Sequence, residues 1–173
     1  MQEPRNAEQP STDKMLGAEQ DVQARLNDQE LDFDANRAIS NIYRAAAAVR
    51  RQAEQGVLKE YGLSWGGFTI LWVLWVWGEM ETATLANECD LAKGTLTGML
   101  TTLEKRQLVE RRRSETDGRR VLVDATADGL RLIDKLFPRF NNLETELVQG
   151  LSTSESKELS RLLRIVITNA VSS

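Results

Sequence analysis

Apolar residues recur at helical spacing in the middle of the chain. Leu96, Met99, Leu100 and Leu103 fall at positions i, i+3, i+4 and i+7, which predicts a helix with one narrow face turned toward a core. The opposite face carries small or polar side chains, namely Lys93, Gly94, Thr97, Gly98 and Thr101. Such a helix suits the DNA major groove, which admits one helix and is read through short side chains.

A shorter helix is predicted immediately upstream, over residues 83–89. Thr82 is a candidate for its N-cap, and Leu85, Ala86 and Cys89 would face inward. Residues 90–92 then make the turn into the helix described above. The two predicted helices together form a helix-turn-helix.

Two strand-like runs follow, over residues 108–112 and 121–125. Val121 and Val123 alternate with their neighbours in the period-2 manner of a half-buried strand. The sequence therefore predicts a hairpin directly after the helix-turn-helix, an arrangement known as a winged helix.

Arginines bracket the loop of this hairpin: Arg111, Arg112, Arg113, Arg119 and Arg120. Residues 114–118 form the loop tip, and Gly118 lies at the turn between Asp117 and Arg119. A carboxylate two residues from a guanidinium can brace a loop, so we predict an internal Asp117–Arg119 contact. The remaining arginines would then reach outward.

Two helices are predicted before this region. Apolar positions recur every three or four residues over 33–61, which indicates one long amphipathic helix with more apolar surface than a small core can cover. Gly62 would end that helix, and Ser64 would cap the next. The second helix, 65–77, is apolar nearly all round and is therefore predicted to be buried.

Two helices are also predicted after the hairpin. Thr126 would cap the first, Pro138 would kink it and Gly150 would end it. Ser152 and Glu155 form a capping box for a last helix that continues to about residue 171. Its apolar stripe comprises Leu159, Leu162, Leu163, Val166 and Ile167. The sequence offers no obvious covering segment for this stripe, which points to a subunit interface.

The N-terminal segment is polar and acidic. We expect residues 1–17 to be disordered, with a helical turn or two before the body begins, and treat 1–30 as a flexible extension. The remaining chain divides into a helical dimerisation region, 31–63 with 127–173, and a winged helix-turn-helix, 64–126. The predicted fold class is mainly α.

Charge is distributed unevenly along the chain. The net charge is −4, but residues 1–34 hold nine acidic and three basic residues, so the remainder carries 19 basic and 17 acidic residues. Residues 104–120 alone contain seven basic and four acidic side chains. The local field, rather than the total, decides where a polyanion binds.

Several classes of protein are disfavoured. The chain has no histidine, and Cys89 is its single cysteine, so transition-metal sites and the usual nucleophile–base pairs lack their ligands and partners. We predict no metal, no cofactor and no enzymatic activity. The most apolar run, 68–77, is shorter than the roughly 20 residues that span a bilayer. With no signal-peptide pattern at the N-terminus, we expect a cytoplasmic protein with no membrane partner.

Three segments carry a family resemblance: LAKGTLT at 91–97, LEKRQLVERR at 103–112 and DGRRVLVDAT at 117–126. With the order of helices, they make residues 35–170 resemble the MarR (multiple antibiotic resistance regulator) family of bacterial transcription factors. The resemblance implies a homodimer that binds double-stranded DNA, with one helix in the major groove and the wing in the minor groove.

The resemblance assigns DNA-contacting roles to particular side chains. In the groove-bound helix these are Lys93, Gly94, Thr95, Thr97, Gly98 and Thr101, and in the wing Arg111, Arg113, Arg119 and Arg120. Many family members carry a larger side chain where this sequence has Gly98, so direct base readout is expected to be reduced there. We expect a pseudo-palindromic operator and a repressor.

The resemblance also implies release from DNA by a small aromatic effector. The residues that would line its pocket are Tyr43, Arg44, Arg50, Trp65, Phe68 and Trp72. The alternative interpretation is a winged-helix protein–protein interaction module without DNA binding, since a fold alone does not determine function. Binding to duplex DNA distinguishes the two.

Overall fold

The structure is a computed structural model that describes residues 14–172. The chain divides into two compact units, and the boundary lies between Ala48 and Val49. Within the described range, no helix is both long and apolar enough to cross a bilayer.

The first unit contains helix α1 (Gly17–Leu26) and the beginning of helix α2 (Phe33–Gln55). The buried carboxylate of Glu19 accepts a hydrogen bond from the Asn41 amide at 2.8 Å and another from the Leu16 backbone N–H. These bonds lower the pKa of Glu19. Helix α1 is longer than the turn or two predicted, whereas most of the segment predicted to be disordered lies outside the described residues.

The second unit starts with the end of α2 and contains the helices and strands that follow it along the chain. They are α3 (Val57–Glu60), α4 (Trp65–Trp77), β1 (Met80–Glu81), α5 (Thr82–Glu88), α6 (Lys93–Lys105), β2 (Val109–Arg113), β3 (Val121–Ala125), α7 (Ala127–Leu147) and α8 (Thr153–Val171). The three strands form an antiparallel sheet in the order β1-β3-β2. The wing hairpin was predicted, but β1 was not.

Helix α4 supplies the centre of the core. Ile70, Leu71 and Leu74 are fully buried, and they join apolar residues of α5, α6, β3 and α7 in one cluster. The Ser64 side chain accepts from the Gly67 N–H, which confirms it as the N-cap of α4. Burial is not uniform along the helix, since Trp77 is more than half exposed. The prediction that the whole helix is buried was therefore wrong for its last turn.

The single long helix predicted over 33–61 is interrupted. Helix α2 ends at Gln55, and Gly56 adopts φ −101° and ψ −112° before the short helix α3. A Cβ at Gly56 would lie 3.0 Å from the Gln52 carbonyl oxygen, so the backbone there accommodates only glycine comfortably. Gly62 has φ +62° and ends the segment as predicted.

The remaining boundaries differ from the predictions by a few residues. Thr82 is the first residue of α5 and not its N-cap, which is Glu81. Thr126 does cap α7, and Ser152 with Glu155 forms the predicted capping box of α8. Helix α7 continues through Pro138 and ends at Leu147, three residues before Gly150.

Candidate nucleic-acid interface

Helix α6 is held by its apolar face. Leu96, Leu100 and Leu103 are buried, and Met99 lies over Gly66 of α4. A Cβ at Gly66 would come within 2.6 Å of the Met99 Sδ, so the glycine allows the two helices to approach closely. The predicted inward stripe is confirmed in full.

The opposite face of α6 is uncovered. All six residues that the sequence singled out on this helix are exposed: Lys93, Gly94, Thr95, Thr97, Gly98 and Thr101. A Cβ placed at Gly94 or at Gly98 would meet no atom within 4 Å. These two glycines are thus not required by packing, and the face is open to another molecule.

Threonine hydroxyls on this face bond to the helix itself. The hydroxyl of Thr97 donates to the Lys93 carbonyl at 2.8 Å, Thr101 to the Thr97 carbonyl at 3.0 Å, and Thr102 to the Gly98 carbonyl at 3.1 Å. These bonds fix the orientation of the side chains before any partner arrives.

The N-terminal end of α6 has no side-chain cap. Its N-cap residue is Ala92, which has no side-chain acceptor, and no acidic residue lies in the first turn. Backbone N–H groups at a free helix N-terminus attract anions, and Lys93 adds a full positive charge there. This end of the helix can therefore receive a phosphate.

Strand β2 turns alternate arginines to opposite faces of the sheet. Arg111 pairs in register with the buried Val123, whereas Arg112 pairs with Leu122. On the side of α6, the guanidinium of Arg111 donates to both carboxylate oxygens of Glu104, one of them at 2.9 Å. This contact lowers the pKa of Glu104 and joins the wing to α6.

The loop of the wing is held by Asp117. Its carboxylate accepts from the Arg119 backbone N–H at 3.1 Å and from the Arg120 guanidinium at 3.2 Å. The Arg120 N–H also donates to the Asp117 carbonyl at 2.9 Å. The predicted bracing by Asp117 is present, but its ion-pair partner is Arg120 and not the Arg119 side chain. The Arg119 backbone N–H faces the carboxylate, whereas the Arg119 side chain makes no ion pair with residues 14–172.

Two further glutamates contact the wing arginines. Glu79 accepts from two nitrogens of Arg112, each at 2.7 Å, and Glu81 accepts from Arg120 at 2.6 Å. Arg113 and Arg119 are exposed and make no ion pair with residues 14–172. Within the described part of the chain, the five wing arginines thus divide into three that form ion pairs and two free arginines that form none.

Sequence reasoning missed the residues that position this interface. Besides the three glutamates, Arg106 donates to the carbonyl oxygens of Tyr61 at 2.8 Å and of Gly62 at 2.6 Å. This bond ties the C-terminal end of α6 to the turn before α4. A basic residue in the last helical turn was visible in the sequence, but its partner lies 44 residues away.

The residues proposed for an aromatic-ligand pocket have varied surroundings. In the second unit, Phe68 stacks on Phe140 at a centroid distance of 4.4 Å, and Trp65 lies 6.1 Å from both rings. Trp72 contacts Trp77 edge to face, at 5.3 Å.

The three polar members of that proposed pocket are distributed over both units. Arg50 faces the Glu54 carboxylate at 3.5 Å in the second unit. In the first unit, Tyr43 is exposed, and Arg44 donates to the Asn41 side-chain oxygen at 3.1 Å. Arg50 therefore already has an anionic partner in this structure.

Cys89 is half-buried next to the helix-turn-helix turn. Burial, reinforced by the neighbouring Glu88, raises the pKa of the thiol to about 11. A thiol with so high a pKa holds little thiolate at neutral pH, which agrees with a packing role. No group of three or more acidic or cysteine side chains in the described part of the chain is arranged to hold a metal ion.

Comparison with known proteins agrees with this geometry. Residues 63–121 match the model of the MarR family. The HTH-type transcriptional regulator YwaE of Bacillus subtilis (strain 168) is 38% identical over 141 residues, which are 82% of this chain and 82% of YwaE.

Solved structures show the same fold. The MarR-family regulator Sco3205 of Streptomyces coelicolor, in complex with DNA, matches with a TM-score of 0.74 and 18% identity, over 82% of this chain and 90% of Sco3205. NadR in complex with 4-hydroxyphenylacetate matches with a TM-score of 0.63 and 26% identity, over 73% of this chain and 89% of NadR. The chain therefore belongs to the MarR family of winged helix-turn-helix transcriptional regulators.

Proposed function

We propose that this protein is a homodimeric repressor that binds a pseudo-palindromic operator in double-stranded DNA. The observation that carries the proposal is the uncovered outer face of α6 beside two unpaired wing arginines. The likeness to Sco3205, which was solved with DNA, supports the same docking mode.

Each surface has a defined task in the proposed complex. Helix α6 enters the major groove and offers the small and polar residues of its outer face: Lys93, Gly94, Thr95, Thr97, Gly98 and Thr101. Arg113 and Arg119 extend into the adjacent minor groove, whose negative potential favours arginine. Arg111 and Arg120 contribute by holding the wing in position, through Glu104 and through Asp117 with Glu81.

Dimerisation is supported by apolar surface that a single chain leaves exposed. Helix α8 has no buried residue, although leucine and isoleucine side chains recur along it. Leu130 and Leu147 of α7 are exposed as well. A second copy that covers these faces would place two α6 helices on one duplex. Half-sites are then expected one helical turn apart, roughly 34–36 Å.

The decisive experiment is selection of bound duplexes from a random pool, followed by affinity measurements on the selected sequence at several salt concentrations. A palindromic consensus and a steep salt dependence are the expected results, because phosphate neutralisation releases counterions. Absence of duplex binding at every salt concentration would instead favour the protein–protein module.

Two substitutions test the docking mode. Arg119→Ala is expected to weaken operator binding by about 1 kcal/mol, a typical value for a charged contact. Arg51→Ala, an exposed arginine without an ion pair to residues 14–172, serves as the matched control. Gly98→Arg has room for its side chain and is expected to change both affinity and base preference. Unchanged binding in this variant would show that α6 does not lie in the groove.

We further propose that a small aromatic anion releases the protein from DNA. The support is the likeness to NadR, which was solved with 4-hydroxyphenylacetate, and the cluster of Trp65, Phe68 and Phe140. Addition of 4-hydroxyphenylacetate to the operator complex is expected to quench tryptophan fluorescence and to release DNA.

Repressor activity is tested by transcription from an operator-bearing promoter with and without the protein.

A further inference from the structure

The sheet carries a set of charges on the face turned away from α6. We call the contacts Glu79–Arg112 and Glu81–Arg120 the outer pairs. Arg112 uses two of its nitrogens on Glu79, both at 2.7 Å, and Arg120 donates to Glu81 at 2.6 Å. Both glutamates belong to β1 or directly precede it, the strand that sequence reasoning did not predict.

Strand register explains why these groups meet. Glu81 and Arg112 both pair with Leu122, from opposite sides of β3, so all three residues share one face of the sheet. Met80 and Arg111 both pair with Val123, which is fully buried, and therefore share the other face. Arg112 consequently points away from the side on which Arg111 contacts α6.

A paired arginine contributes little to attraction for a polyanion. An arginine that neutralises a phosphate releases a counterion, and this release makes binding to duplex DNA salt-dependent for any sequence. If Arg112 leaves Glu79 for a phosphate, the carboxylate remains unpaired beside a negatively charged duplex. The favourable contact between the arginine and the phosphate is then offset by repulsion between the carboxylate and the duplex. This holds although the outer pairs are exposed and contribute little stability by themselves.

We propose that Glu79 and Glu81 are specificity-determining residues of this regulator: by neutralising Arg112 and Arg120, they lower its affinity for duplex DNA of any sequence. This inference rests on the proposed DNA-binding function. Operator binding then depends on α6 and on the free arginines Arg113 and Arg119, which the outer pairs do not involve. Selectivity is the ratio of operator to non-specific affinity, so a lower non-specific affinity raises it.

The test is a salt titration of binding to a duplex that lacks the operator. Glu79 is the one ion-pair partner of Arg112 within residues 14–172, so Glu79→Gln frees this arginine, and each added phosphate contact steepens the slope of log affinity against log salt by about 0.9. When salt is lowered fourfold, the non-specific affinity of Glu79→Gln is therefore expected to rise by a factor about threefold larger than that of the original protein. Glu81→Gln is expected to steepen the slope by less, because Asp117 still pairs with Arg120. Operator binding should change less, so the selectivity ratio falls.

A charge-matched control separates the outer pairs from net charge. Glu88→Gln removes the same charge from α5, where Glu88 is exposed and has no ion pair to residues 14–172. Its slope is expected to stay at the original value. An increase equal to that of Glu79→Gln would overturn the proposal, because total charge alone would then explain the effect.

A double substitution tests whether Glu79 acts through Arg112. In an Arg112→Ala background, Glu79→Gln is expected to leave the slope unchanged, because no guanidinium is freed. Persistence of the steeper slope there would contradict the proposal, as would an unchanged slope for Glu79→Gln alone. Thermal unfolding of each variant verifies that the fold is retained, and Glu81→Gln with Arg120→Ala provides the second, independent cycle.

The two proposals fail in different ways. If the original protein binds no duplex at any salt concentration, the proposed function is wrong. If it binds an operator but the outer-pair variants retain its slope and selectivity, only the proposed role of Glu79 and Glu81 is wrong.

Discussion

Helices α6 and α8 carry the same kind of apolar stripe in opposite surroundings. On α6, Leu96, Leu100 and Leu103 are 2%, 1% and 3% exposed. On α8, Leu159 and Leu162 are 44% and 46% exposed, and no residue of the helix is buried. Periodicity alone cannot distinguish these cases, because it shows that a helix face is apolar but not whether the same chain buries it. The structure shows that the chain covers the stripe of α6 itself and leaves that of α8 exposed.

The largest effect is expected for the covered stripe. Leu100→Ala should lower the free energy of unfolding by about 2–5 kcal/mol, since a buried leucine leaves a cavity. Urea denaturation at two protein concentrations measures it, and the loss should be the same at both. Thr95→Ala on the exposed face is the control and should stay within about 0.5 kcal/mol. A small loss for Leu100→Ala would mean that α6 is not anchored as described.

A smaller effect of a different kind is expected for the uncovered stripe. Burying the half-exposed Leu162 in a dimer is worth about 1 kcal/mol per subunit, so Leu162→Ala should weaken dimerisation. Sedimentation equilibrium measures the dissociation constant, which should rise by roughly tenfold or more because both copies are changed. Lys157→Ala, an exposed polar position on the same helix, should leave the constant unchanged. An unaffected dimer in Leu162→Ala would remove this stripe from the interface.

A substitution on the outer face of α6 is expected to raise the free energy of unfolding. Gly98→Ala should raise the free energy of unfolding by about 0.5–1 kcal/mol, because alanine restricts the unfolded chain and nothing in the structure opposes its methyl group. Thermal unfolding compares it with Gly66→Ala, whose methyl group would meet Met99 at 2.6 Å and should offset that gain. Equal stabilisation in both variants would show that Gly66 is not a packing contact.

The smallest expected effect concerns the start of α8. Hydrogen bonds from the side chain and backbone N–H of Ser152 lower the pKa of Glu155 below its ordinary value of 4.5. The ionised form therefore stabilises the capping box above pH 4.5, and this contribution is lost as the pH falls through the lowered pKa. Acid titration of helix content should show the loss, and Glu155→Gln should abolish it. An identical acid profile in that variant would contradict the assignment.

Local patterns were sufficient for most elements. Helix α6 and the caps at Ser64, Thr126 and Ser152 follow from spacing or from one side chain that bonds a nearby N–H, so the sequence predicts them well. The break at Gly56 was not foreseen, because glycine in a helical pattern is tolerated as often as it terminates one. Strand β1 is two residues long, too short for any alternation to be visible.

Long-range pairing was the part that the sequence could not provide. Nothing local indicates that Glu79 lies beside Arg112, since the contact depends on the register of three strands. For the same reason the arginines could be recognised as a basic cluster but not divided into paired and free members. The clearest example is Asp117, whose ion-pair partner is Arg120 although the sequence predicted Arg119. The two arginines are adjacent, and only the geometry of the turn distinguishes them.

The inward hydroxyl bonds of α6 have a consequence for the bases that the helix can prefer. Thr97 and Thr101 have already donated their protons to backbone carbonyls, so they offer an incoming duplex only lone pairs and methyl groups. In the major groove adenine and cytosine present amino donors, and thymine presents a methyl group, whereas guanine presents acceptors alone. In the proposed complex, the DNA strand whose bases these threonines contact is therefore expected to be poor in guanine.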